Sequence, residues 1–296
     1  MKMNFRHAGF KFWTCLIAMA LTVLSGCKKD KDEEVVITQP SPEAIVHGGH
    51  LGKIQTAAVI RIGVKADSPP FCFQDQEGHP RGFDVDLGGR LARALGVQPL
   101  FVTVTSQDRI DKLRKGEVDI VIATLTATRR RAQEIDFSMP YFQDQQGLLV
   151  KASSAIKSYR DLAHMKVAAL PGSTSIDNIK VVAPDCVVVE AKSLGDGLTK
   201  VQSGEADALT GDGLALRALS LGAADPAQLR IAGEGFSVEP YVIGLPQDDS
   251  QFRTKVDDFL TELWNSGAWT RLFDKWLGSQ SQYNLEAHFQ MPVLPP

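Results

Sequence analysis

Three arginines in succession, Arg129-Arg130-Arg131, follow Thr124-Leu125-Thr126 and lead into Ile135-Asp136-Phe137-Ser138. A guanidinium is a planar fork that meets a carboxylate through paired, charge-assisted hydrogen bonds. Successive helical residues diverge by about 100°, so at most one of the three faces a given site while the others face solvent. A second anion-seeking feature is Gly172-Ser173-Thr174, which opens a helix after an apolar strand. Free N–H groups at a helix start favour an anion, and Ser173 and Thr174 serve equally as caps. Asp212 stands between Gly211 and Gly213, where the backbone turns and can approach closely. The chain has no G-x-S-x-G, no H-E-x-x-H and no C-x-x-C, and its histidines are scattered. Such a set binds a ground state and offers little to a transition state, so neither an enzyme nor a metal or other cofactor is expected.

These residues need a scaffold of alternating strands and helices. Ile60, Ile62 and Val64 recur at period two, and Asp84 to Leu95 places apolar residues at helical spacing before Gly96. A strand is expected at Val102–Val104, a helix at Asp108–Arg114, a buried strand at Asp119–Ala123, a helix at Arg129–Ile135 and a strand at Gly147–Lys151. The grammar repeats through Lys166–Leu170, Leu194–Gln202, Ala208–Thr210, Leu214–Leu221 and Leu229–Ala232. It closes on one amphipathic helix, Phe252–Trp276, whose tryptophans read as packing residues. Strands alternating with helices imply an α/β fold with parallel-type sheets.

The N-terminus speaks to the compartment. Lys2, Arg6 and Lys11 precede an apolar run from Phe12 to Leu24, shorter than the ~20 residues of a membrane span. Leu24-Ser25-Gly26-Cys27 resembles the bacterial lipobox, which implies a signal over residues 1–26, lipid on Cys27 and a location in the periplasm or at the cell surface. Residues 27–53 mix charge with Pro40, Pro42, Gly48 and Gly49 and read as a flexible tether. Loss of residues 1–26 leaves 29 basic against 35 acidic side chains, a formal charge of −6 that argues against a nucleic-acid partner. Cys72 and Cys186 are expected as two buried thiols.

Gly82-Phe83-Asp84-Val85-Asp86-Leu87, running on to Leu91-Ala92-Arg93-Ala94-Leu95, closely resembles the signature of bacterial extracellular solute-binding proteins of family 3. Val118-Asp119 through Thr126, Arg131, Ile135 to Tyr141, Pro171 to Thr174, Gly204 to Ala208, Gly211-Asp212 and Glu239-Pro240-Tyr241 follow in the family's order, over roughly residues 55–280. The resemblance implies a two-lobe fold of the type II periplasmic-binding-protein kind, joined by two hinge strands. Lobe 1 is expected at 54–149 and 238–280, lobe 2 at 150–237, and a tail at 281–296. It implies a monomeric, non-catalytic receptor that closes on a polar amino acid and delivers it to an ABC transporter permease, held at the membrane by its lipid.

Site roles follow from the same likeness. Arg131 is implied for the ligand carboxylate, with the helix start at Ser173 and Thr174 clamping from lobe 2. Thr124 and Thr126 are implied to offer hydroxyl and backbone groups, and Asp212 to take the ammonium. Lys65 and Arg109 resemble positions that serve a second carboxylate, which points to glutamate or aspartate; glutamine fits if a cation pairs with a carboxylate such as Asp67 or Asp108. Phe71 either lines the site or fills the core, and Tyr241 either touches ligand or packs at the hinge. A periplasmic dehydratase-like enzyme and a sensory receptor are the competing uses of the scaffold.

Overall fold

The computed structural model describes residues 49–292. The leader, Cys27 and most of the tether lie outside them. A five-stranded sheet organises the first lobe in the order Gln98–Thr103, Val59–Val64, Ile120–Val121, Gly244–Leu245, Asp136–Phe137. Its first three members are parallel, and Gly244–Leu245 runs antiparallel to both neighbours. The second lobe repeats the plan in the order Val187–Glu190, Lys166–Ala169, Ala208–Asp212, Gln146–Lys151, Leu229–Ile231. Here Gln146–Lys151 is the antiparallel member. Both sheets are therefore mixed, because each lobe receives a strand that arrives from the other lobe.

Two short strands make that passage. Phe142–Asp144 pairs antiparallel with Glu239–Tyr241, setting Phe142 opposite Tyr241 and Asp144 opposite Glu239. The chain thus crosses at residues 142–144 and returns at 239–241. The whole of Gln146–Lys151 belongs to the second sheet, so the first lobe ends earlier than the expected residue 149.

Period-two alternation fills each core. In Gln146–Lys151, Leu149 joins one apolar cluster of the second lobe while Leu148 and Val150 join another, so both faces are covered. The first lobe packs Ile60, Ile62, Phe83, Leu87 and Leu91 against Trp269 and Phe273. Pro99 sits within Gln98–Thr103, an edge strand whose outer side has no partner among the described residues, so its missing N–H breaks no ladder there.

Several expectations change. The helix expected over Arg129–Ile135 is a single 3-10 turn, Arg131–Gln133. Thr128 Oγ1 accepts from the Arg131 N–H at 3.2 Å, and the strand Asp136–Phe137 begins almost at once. The long helix Phe252–Trp276 is two helices, Ser250–Asn265 and Ala268–Trp276, divided at Gly267 with φ 69°. The tether does not reach residue 53, since Gly49–Ala57 is helical and the His50 N–H donates to Asp249 Oδ2 at 2.8 Å. Nor are residues 281–292 a mere tail. Tyr283 and Met291 are buried, and Phe289 stacks on Phe142 with ring centroids 6.1 Å apart. Cys72 and Cys186 are buried free thiols, and Cys72 is pushed up to about 12, chiefly by burial.

Candidate functional site

The two lobes meet over a small cavity of about 30 Å³, to which Lys65, Ser68, Ser106, Arg109, Thr124 and Thr126 contribute from the first lobe and Leu170, Leu194 and Ala215 add apolar wall from the second. Ser173, Thr174, Ser175, Thr210 and Asp212 line it from the second. It adjoins a wider cleft of about 590 Å³ that shares Lys65, Ser106 and Leu170 and runs out past Asp67, Gln107, Glu190 and Lys192. Gly172 (φ 74°) lies so close to the first lobe that an added Cβ would stand 2.5 Å from the Ser106 carbonyl oxygen. Only glycine permits that approach.

Local structure places each group. Thr124 follows Ile120–Val121 with φ 46°, an uncommon conformation for a β-branched residue. Its N–H is held by Asp84 Oδ2 at 3.1 Å, and Asp84 Oδ1 accepts from Tyr141 Oη at 2.8 Å. Asp84 is fully buried and raised to about 6, by burial first, against the lowering effect of those hydrogen bonds. The acid of the G-F-D signature therefore shapes the loop that carries Thr124 and Thr126. Ser173 caps Thr174–Val182, accepting from the Ser175 N–H, so the helix start points into the cavity. Asp212 ends Ala208–Asp212 and precedes the helix Gly213–Leu221 without capping it through its side chain. Its carboxyl is raised by burial and by the nearby Glu239.

The cations divide into three situations. Lys65 Nζ donates to Asp67 Oδ1 and to Ser68 Oγ, each at 2.5 Å. Arg109 donates from Nη1 to the carbonyls of Ala123 at 2.5 Å and Thr124 at 3.3 Å. Its Nε is buried without a hydrogen-bond partner among the described residues, and burial lowers its pKa. Arg131 does not line the cavity. It donates from Nη1 to Thr126 O at 2.7 Å and from Nη2 to Gly172 O at 2.8 Å, tying the lobes together behind the cavity wall. Burial and the neighbouring Arg109 and Arg130 bring it down to about 9.

Seven of the nine expected contact residues therefore gather at one cavity: Lys65, Arg109, Thr124, Thr126, Ser173, Thr174 and Asp212. Tyr241, like Arg131, does not line the cavity, although its hydroxyl lies beside the cavity residue Asp212. Its hydroxyl donates to Asp144 Oδ2 at 3.2 Å and its ring packs edge-on to Phe71, a core residue. Asp144 is raised to about 7, by burial first and Asp212 second. Asp207 has a structural task, accepting from the Lys166 N–H at 2.8 Å.

Sequence reading assigned no role to Glu239, Asn178 or Gln146. Glu239 lies in the quoted Glu-Pro-Tyr run, and Asn178 falls four residues after Thr174, on the same helix face. Gln146 opens the strand that leaves the hinge and donates to Thr174 Oγ1 at 2.9 Å.

The cavity brings hydroxyl, guanidinium and carboxylate groups from two lobes together. The family model of bacterial extracellular solute-binding proteins, family 3, matches residues 60–279. The glutamine-binding protein of a Bacillus subtilis ABC transporter is 35% identical over 233 residues, 77% of this chain and 84% of that protein. The L-glutamate/L-aspartate-binding protein of Pseudomonas aeruginosa is 30% identical over 240 residues, 77% of this chain and 80% of that one. An ancestral arginine-binding protein solved with bound glutamine is 35% identical with a TM-score of 0.71, covering 75% of this chain and 98% of that one. The chain belongs to the bacterial extracellular solute-binding proteins, family 3.

Proposed function

We propose that the chain is the substrate-binding component of an ABC importer, which closes its two lobes on a polar amino acid outside the cytoplasm. The observation that carries this reading is the shared cavity, with Arg109 and the threonines of one lobe facing Asp212 and the Ser173–Ser175 helix start of the other. Asp212 suits an ammonium, while Arg109 and the helix start suit carboxylate or carbonyl oxygens. Contacts from both sides are complete only in the closed form, so ligand shifts the lobes toward closure.

Glutamine is the ligand we favour. Of the two cations suited to a side-chain carboxylate, Lys65 is paired with Asp67 at 2.5 Å, which leaves Arg109 alone to offset the negative charge of a ligand that already carries one carboxylate. Burying a second carboxylate would call for another free cation. Glutamate or aspartate is the second reading, favoured by the unpartnered Arg109 Nε, and it requires Arg131 to leave Gly172 and turn inward. Mass spectrometry of the small molecule that co-purifies with the chain tests the class. An unchanged polar amino acid supports a receptor; conversion of a supplied one would instead make the scaffold an enzyme.

The anchor proposal lies with Cys27, outside the described residues, and with Leu24-Ser25-Gly26 before it. Cys27→Ser releases the protein from the membrane fraction or blocks its processing. A fully processed variant that still fractionates with membranes contradicts the lipid attachment.

A further inference from the structure

Glu239 is a buried carboxylate at the meeting point of both lobes and both crossings. It opens the hinge strand Glu239–Tyr241 and is 1% exposed. Its Oε2 accepts from Thr126 Oγ1 at 2.6 Å and from Thr174 Oγ1 at 2.8 Å. Its Oε1 accepts from Asn178 Nδ2 at 2.7 Å. Thr126 belongs to the first lobe, Thr174 and Asn178 to the second.

The direction of these bonds is fixed by chemistry. A carboxylate has no proton to give, and a hydroxyl has one, so each threonine spends its single proton on Glu239. Lone pairs are what the two hydroxyls have left. Thr174 uses one of them to accept from Gln146 Nε2, and Thr126 keeps both from side chains. Both threonines line the cavity together with Asp212, which is itself an acceptor. A hydroxyl that was free to rotate could instead donate, and would then serve an anion as readily as a cation.

We propose that Glu239 is a positioning residue for the ligand's ammonium: by taking the protons of Thr126 and Thr174 it turns their lone pairs toward the cavity and completes, with Asp212, a corner made only of acceptors. This rests on the reading that the ligand is an amino acid. The corner exists only when the lobes meet, because its two hydroxyls come from opposite sides. The negative charge of Glu239 is felt at Asp212, and a cation arriving beside them relieves that repulsion. An ammonium brings three donors to such a corner, whereas a hydroxyl in its place brings one.

The test compares an amino acid with its hydroxy-acid counterpart, L-glutamine with 2-hydroxyglutaramate and L-glutamate with 2-hydroxyglutarate, by calorimetry on the full chain. Wild type should prefer the amino acid strongly. Glu239→Gln keeps the reach and loses the charge, while Glu239→Asp keeps the charge and loses the reach to both hydroxyls. Each should shrink the preference by about tenfold or more, the size of one charge-assisted contact. Asn178→Ala, which removes a partner of Glu239 but neither hydroxyl, should leave the ratio within about threefold. Parallel losses for both compounds, with the ratio kept in Glu239→Asp and Glu239→Gln, would overturn the assignment and leave Glu239 a purely structural bridge. A wild type that binds none of these amino acids defeats the receptor reading first, and the ammonium corner with it.

Discussion

Arg131 Nη2 donates to the carbonyl oxygen of Gly172 at 2.8 Å, so a side chain of the first lobe is hydrogen-bonded to the backbone of the second. The same guanidinium holds Thr126 O at 2.7 Å. Arg131 therefore joins the two lobes while positioning the loop that bears a cavity hydroxyl. Arg130 also reaches across, to Asp177 at 3.6 Å, but both of those side chains are largely exposed.

Arg131→Ala should weaken amino-acid binding by roughly 10- to 150-fold, corresponding to the ~1.5–3 kcal/mol of hydrogen bonds made by a charged group. Arg130→Ala should cost less than about threefold, because an exposed pair is screened and entropically expensive. Calorimetric titration of the two variants checks this, and equal losses would remove the distinction between latch and surface pair.

The hinge carboxyl of Asp144 makes stability depend on pH. Folded, it holds its proton to about pH 7; unfolded, it would lose it near pH 4. The folded state binds more protons between those limits, so this group's contribution falls as pH rises from about 4 to about 7 and is level above. Asp84, raised to about 6, acts in the same direction over a narrower window. Asp144→Asn should therefore flatten the decline of melting temperature between pH 5 and pH 7. An unchanged slope in the variant would show that Asp144 ionises normally.

The C-terminal segment is part of the first lobe's core. Phe289 lies 6.1 Å from Phe142 and 5.7 Å from Trp269 between ring centroids. Because the ring is only partly buried, Phe289→Ala should destabilise by about 1–2 kcal/mol, below the cost at a fully enclosed site. Denaturant unfolding measures the loss, and no change would return the segment to the status of a tail.

Period-two and period-3.6 patterns announced most of the longer elements, including a strand expected at Lys166–Leu170 and found at Lys166–Ala169 and a helix expected at Leu194–Gln202 and found at Leu194–Ser203, but not the strand Val187–Glu190 or the helix Gly49–Ala57. What escaped depends on contacts between distant residues. The arginine run looked helical by itself, yet the Thr128 cap and the strand at Asp136 reduce it to one turn. The crossing at Phe142–Asp144 is set by pairing with Glu239–Tyr241, about a hundred residues later, which no local pattern announces. Seven cavity residues were readable because motif and resemblance picked them out, whereas Ser68, Ser106, Ser175 and Thr210 carry no such signal and reach the cavity only through packing. The pairing of Lys65 with Asp67 is a choice between partners that only packing decides.

The proposed ligand, a polar amino acid, meets Arg109 in the cleft. Calorimetric titration of L-glutamine, L-glutamate and L-aspartate into wild type and Arg109→Ala tests it most directly. Glutamine should bind wild type most tightly, and Arg109→Ala should lose about 30-fold or more, the cost of removing a buried charged donor. Tighter binding of glutamate, or a variant that binds glutamine as well as wild type, would contradict it.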